Sequence, residues 1–137
     1  MDASLLIVGA GPAAARRHPP GGVLVVDRLP GAGAKLAVSG GGRGNLTRAA
    51  TEAEFAAAFG RQGRFAIPAF RALPPAELCR LFADIGVPTV ADETGRIYPR
   101  SQSAAQARDA LCAACARAGV RFVFEHPVRR LVPPETP

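Results

Sequence analysis

Short apolar runs alternate along this chain with glycine-rich and helix-periodic stretches. Residues 4–8 form a continuous apolar run closed by Gly9, and residues 23–26 form a second. That is the pattern of strands buried on both faces of a parallel sheet. The segment between them is rich in glycine, alanine and proline, and its residues 12–18 predict a short helix. Residues 29–45 are glycine-rich without periodicity and predict a long loop. Thr51-Glu52-Ala53-Glu54 matches a capping box and opens a helix to about Phe59. Another helix is expected around residues 65–73, and a third over 75–85, with Pro75 at its first position and Gly86 as its stop.

Residues 89–91 and 96–98 flank Asp92-Glu93-Thr94-Gly95 and predict a small hairpin. Ser101 is expected to cap the longest helix, residues 102–118, which carries Ala104, Ala107, Leu111, Ala114 and Cys115 on one face and Gly119 just past its end. Residues 120–124 predict a strand and 128–132 a further one, while the prolines after them predict a disordered tail over 133–137. No internal repeat is present, and alternation of strands and helices makes the expected class α/β.

Composition narrows the function. At 137 residues and 48% hydrophobic, the chain reads as one globular domain or a piece of something larger. The net charge of +6 comes almost entirely from arginine, with Lys35 the one lysine. These arginines are scattered, doubled only at Arg16-Arg17 and Arg129-Arg130, and not interleaved with aromatics, so a nucleic-acid surface is not expected. No apolar run reaches membrane-spanning length, and Asp2 stands where a signal peptide would be basic, so the expectation is a soluble, cytoplasmic protein. Three cysteines do not suggest a disulfide framework. Cys112 and Cys115 form C-x-x-C inside a helical run, where packing thiols are expected rather than a zinc or redox pair. His18 and His126 each precede a proline without an identifiable carboxylate partner, the setting of solvated turn residues.

Gly9-Ala10-Gly11-Pro12-Ala13-Ala14 follows an expected strand and opens an expected helix, the context that the G-x-G-x-x-G/A fingerprint requires. Gly9 would make the tight turn, Gly11 would let a pyrophosphate approach backbone N–H groups, and small Ala14 would let helix and strand pack closely. Asp27 closes the second strand, where a carboxylate accepts hydrogen bonds from a ribose hydroxyl. An ordinary glycine turn and a solvated aspartate would read the same way. The segment Gly31 to Thr47 is no Walker A loop, because Lys35 is followed by leucine. Its consecutive glycines let backbone amides approach a planar or phosphate ligand, with Arg43 for charge and Ser39 and Asn45 for hydrogen bonds, although a flexible linker has the same composition.

Gly31-Ala-Gly33-Ala-Lys35 followed by Ser39-Gly-Gly-Gly-Arg43-Gly-Asn45-Leu-Thr47 resembles the BaiN/RdsA-like (aminoacetone-oxidase-like) family of FAD-dependent Rossmann-fold flavoproteins. The family pattern couples a G-x-G-x-x-G start and an acidic strand end to G-x-K and S-G-G-G-R-C-N-x-T-N. Gly95-Arg-Ile-Tyr-Pro-Arg-Ser101 also resembles the family's G-R-v-F-P-x-S, so the likeness spans essentially the whole chain. It implies a Rossmann-like parallel sheet, incomplete here, as a partial FAD-binding domain over residues 1–132 with a small helical insertion at about 51–86. It further implies that Gly9, Gly11, Ala14 and Asp27 hold the ADP half of FAD. By the same resemblance Lys35, Ser39, Gly40, Gly41, Gly42, Arg43 and Asn45 line the pyrophosphate and isoalloxazine side, and the backbone of Val128 meets the adenine. The implied activity is an oxidoreductase in which NADH or NADPH reduces the flavin, which then reduces a small organic molecule or, with oxygen, oxidises it.

The chain departs from that pattern at Gly44, where the family has cysteine, at Arg48, where it has asparagine, and at Ala14 for the third glycine. Eleven residues link Gly11 to Val23, about five fewer than the resemblance leads one to expect. Family members run to several hundred residues. The alternative expectation is therefore a truncated, non-catalytic remnant with at most weak dinucleotide binding.

Overall fold

The computed structural model describes residues 3–10 and 22–132. In chain order its elements are β1 (Leu5–Val8), β2 (Val23–Val26), α1 (Ala34–Val38), β3 (Thr47–Arg48), α2 (Glu52–Ala58), α3 (Gly63–Ala72), α4 (Pro75–Asp84), β4 (Thr89–Ala91), β5 (Arg96–Pro99), α5 (Ala104–Arg117) and β6 (Arg121–Val123). The expected crossover helix at residues 12–18, with His18, and the tail at 133–137 lie outside the described residues. The chain divides into two compact units, residues 1–36 with 111–137, and residues 37–110.

The first unit holds a parallel three-stranded sheet in the order β1-β2-β6. Leu6 stands opposite Leu24 and Val8 opposite Val26, while Leu24 and Val26 also face Arg121 and Val123. The three apolar runs thus lie parallel in one sheet, with Gly9 and Asp27 at its C-terminal edge. Val23 and Val25 of the middle strand are fully buried and pack with Ala10, Cys115 and Val120. Leu5, Ile7 and Phe122 flank that cluster on the same face. Burial on both faces does not hold for β1, where Leu6 is 47% and Val8 55% exposed. As the outer strand it alternates, and only its odd-numbered side chains reach the core.

The second unit holds an antiparallel sheet in the order β3-β5-β4, with three helices. The expected hairpin is present: Asp92 Oδ1 accepts hydrogen bonds from the N–H groups of Thr94 and Arg96 and the Thr94 hydroxyl, closing the turn between β4 and β5. Thr51 and Glu54 form the expected capping box at α2. Phe55, Phe59 and Phe70 join α2 and α3, with ring centroids 4.9 and 4.8 Å from the Phe55 ring. Gly63 lies so close to the Ala56 carbonyl that any Cβ there would collide with it.

Three further expectations are corrected. The glycine-rich loop is partly helical: α1 forms over Ala34-Lys35-Leu36-Ala37-Val38, which contains no glycine, and a 3-10 turn follows over Ser39–Gly42. The cap of α5 is Ser103, whose hydroxyl accepts the Gln106 N–H at 3.2 Å, rather than Ser101, because Gln102 has φ +56 and breaks the helical path. Residues 128–132 form no strand, their apolar side chains Val128, Leu131 and Val132 being exposed.

Candidate functional site

At the C-terminal edge of the parallel sheet, backbone bonds run on past the strands. Gly9 N–H donates to the Val26 carbonyl at 2.8 Å and Asp27 N–H to the Val123 carbonyl at 3.0 Å. Gly9 then turns with φ +96, and among the described residues no heavy atom beyond its chain neighbours lies within 4 Å of where a Cβ would stand. That open backbone is what a glycine at this position supplies, since other residues pay for left-handed φ and would place a side chain in the approach.

Asp27 anchors the edge. Its Oδ2 accepts the Ala10 N–H at 2.7 Å and its Oδ1 accepts the Leu29 N–H at 2.9 Å. The carboxylate thereby ties the turn after β1 to the turn after β2. These two donors, Leu29 first, hold its pKa below the ordinary 3.8, against a smaller opposing effect of desolvation. Each oxygen keeps a further lone pair. A cleft of about 350 Å³ opens here, lined among others by Gly9, Asp27, Arg28, His126 and Val128. Three residues assigned to the cofactor, Gly9, Asp27 and Val128, therefore meet in one cleft; Gly11 and Ala14 lie outside the described residues.

Arg28 and His126 were not singled out as cleft residues from sequence. His126 is exposed, as a turn histidine would be, but its N–H donates to the Asp27 carbonyl at 2.9 Å and its Nδ1 stands 2.8 Å from the Phe124 carbonyl oxygen. No local pattern betrays this, because the contact joins residues a hundred positions apart.

Lys35 is exposed on α1. In the second unit, Ser39 begins the 3-10 turn in which Gly40 and Gly41 take left-handed values, φ +58 and +68. Arg43 and Asn45 follow, both exposed, around a buried Gly44. The Arg43 guanidinium donates from Nε to the Gly40 carbonyl and from Nη2 to the Tyr98 hydroxyl, each at 3.2 Å. Tyr98 carries no role in the sequence reading, although it lies inside the Gly95 to Ser101 string. Cys115 is buried in the first unit's core, and that burial pushes its thiol pKa up, the opposite of an activated cysteine. Among the described residues no group of three or more His, Cys, Asp or Glu side chains could hold a metal ion, and no helix is long and apolar enough to cross a membrane.

Two parallel strands with a glycine turn after the first and an acidic end to the second are the edge of a Rossmann-type nucleotide-binding domain. The chain belongs to the HI0933-like protein Rossmann-domain family, whose model matches residues 3–135; this is the FAD-binding, BaiN/RdsA-like flavoprotein family. Among solved structures it is similar to Thermovibrio ammonificans THI4, at 14% identity and a TM-score of 0.53, a likeness of fold. That match covers 89% of this chain and 38% of the THI4 chain. No curated protein matches the sequence.

Proposed function

We propose that this chain binds FAD and serves an oxidoreductase acting on a small organic molecule with NADH or NADPH as reductant. The observation that carries the reading is the Asp27 cleft. Its residues fit an adenosine diphosphate: Gly9 leaves its backbone open, and Asp27 has lone pairs free for ribose hydroxyls while its backbone partners fix its position. Gly9, Gly11, Ala14, Asp27 and the Val128 backbone are assigned to the ADP half. The family resemblance adds Lys35 and, in the second unit, Ser39, Gly40, Gly41, Gly42, Arg43 and Asn45 as contacts of the pyrophosphate and isoalloxazine. FAD, when bound, supplies the hydride-accepting ring. This chain's own part is to bind, orient and offset the charge of the phosphates, with Lys35 and Arg43 as the cations.

A second reading is nucleotide binding without turnover by this chain alone. It is favoured by the exposure of the apolar side chains Leu6 and Val8, beside the cofactor turn, on an outer strand of the three-stranded sheet. Equilibrium dialysis against FAD and an NADH and NADPH oxidation assay separate the two. FAD-dependent nicotinamide oxidation is the outcome of the first reading and weak binding without it that of the second; in either, D27A is expected to lower the affinity by about tenfold, as loss of a charged hydrogen-bond acceptor does. A yellow chain that retains flavin through gel filtration and oxidises NADH or NADPH establishes turnover by this chain; absence of any FAD binding removes the flavin reading.

A further inference from the structure

Arg43 is the one cation within the Ser39 to Asn45 segment, and an exposed arginine ordinarily samples many rotamers. This one is held. Besides its bonds to the Gly40 carbonyl and the Tyr98 hydroxyl, its guanidinium carbon lies 4.5 Å from the centroid of the Tyr98 ring. Tyr98 itself is only 2% exposed, on the central strand of the β3-β5-β4 sheet, with Val90 opposite it on β4. The same ring abuts the glycine turn: a Cβ on Gly40 would stand 3.1 Å from Tyr98 Cε1 and 3.0 Å from the Asn45 nitrogen. A buried ring thus borders both the turn and the guanidinium.

A guanidinium carries five N–H groups. Two are occupied by Gly40 and Tyr98, so the rest of the fork is available on an exposed residue. We propose that Tyr98 is a positioning residue that pre-orients Arg43 for the phosphate oxygens of a dinucleotide. The inference rests on the reading that Arg43 meets the cofactor. The ring is the principal element, because it supplies the face over which the guanidinium carbon lies, while the hydroxyl accepts a single bond. Pre-orientation lowers the conformational entropy that Arg43 loses when it engages an anion.

The test titrates the full chain with FAD by equilibrium dialysis at two salt concentrations, in wild type, R43M, Y98L, Y98F and the R43M/Y98L double variant. R43M and Y98L are each expected to lower affinity by about tenfold, and the double variant by no more than either alone, the signature of two residues acting as one. Y98F should stay within about twofold, since it keeps the ring. Both R43M and Y98L should also flatten the salt dependence, a readout that a loss of packing would not move. Y98L with wild-type affinity, or a double variant whose loss is the product of the single losses, overturns the positioning role and leaves Arg43's own contact standing. R43M with wild-type affinity, or a wild-type chain that binds no FAD, overturns the cofactor reading of Arg43 and the positioning role with it. Should Y98L fail to fold, Y98M decides: it fills more of the space without the ring, so about a tenfold loss that R43M does not deepen supports the proposal and wild-type affinity overturns it.

Discussion

Gly44 has φ +82 and is buried, and a Cβ built on it would stand 3.0 Å from the Ala104 Cα and 3.3 Å from the Pro99 Cδ. Both costs act together at this position, left-handed backbone strain and crowding against atoms that cannot swing away. G44C, which installs the residue of the family pattern, is therefore expected to destabilise the chain by about 1–3 kcal/mol, read as a lower urea midpoint with an unchanged slope. A G44C variant as stable as wild type would show that the turn relaxes at little cost. That the site departs from the pattern is visible in sequence; that glycine there allows close packing against Ala104 is not, because 60 positions separate the two residues. Asp27 shows the same limit. Its place at the end of β2 follows from the apolar run before it, whereas its clamp on Ala10 and Leu29 depends on how the two strands pair.

Elements with local signals were legible. The capping box at Thr51, Pro75 at the start of α4 and the Asp92 turn all depend on residues within four positions of one another, and each stands where the pattern placed it. At α5 the local signal misled, since serines at 101 and 103 compete for one cap. The positive φ of Gln102 settles the choice in favour of Ser103. S103A is accordingly expected to cost about 1 kcal/mol in chemical denaturation, and S101A to stay within about 0.5 kcal/mol. The reverse order would return the helix start to 102. β3 was missed for a different reason: Thr47 and Arg48 are a strand only by pairing with Ile97 and Arg96, and two residues carry no alternation to detect. Residues 128–132 fail in the opposite sense, having the apolar character of a strand without a partner that makes them one among the described residues.

At the scale of the whole molecule, four carboxylates among the described residues are held below their ordinary pKa. Asp27 is held by backbone N–H groups, Glu52 by the Arg71 guanidinium, Glu54 by the N–H and hydroxyl of Thr51, and Asp92 by the Thr94 hydroxyl and nearby N–H groups. A carboxyl whose folded pKa is lowered takes up protons more readily in the unfolded chain. Its contribution is complete above the ordinary values of 3.8 and 4.5 and is lost as pH falls through the lower folded value. Denaturation midpoints measured from pH 7 down to pH 3 should hold steady to about pH 5 and then fall. A midpoint that rises over the acid range would mean that these bonds are absent in solution. The predicted decline belongs to both units, since Asp27 lies in the first and the other three in the second.

What the sequence by itself determined was whatever a few neighbouring residues decide: the apolar runs of the parallel strands, the glycine turn after the first, the capping box at Thr51, the hairpin and the distinctive Ser39 to Asn45 string that identified the family. Periodicity, backbone permissiveness and capping act over one turn or one strand, so they leave a trace in the order of residues. Only the tertiary structure decided which distant residues share a surface. It brought Arg28 and His126 to the Asp27 cleft, paired Thr47 with Ile97, and set the buried Tyr98 ring beneath Arg43. Those contacts arise from strand order and close packing, which place side chains by the path of the whole chain and leave no periodic mark along it.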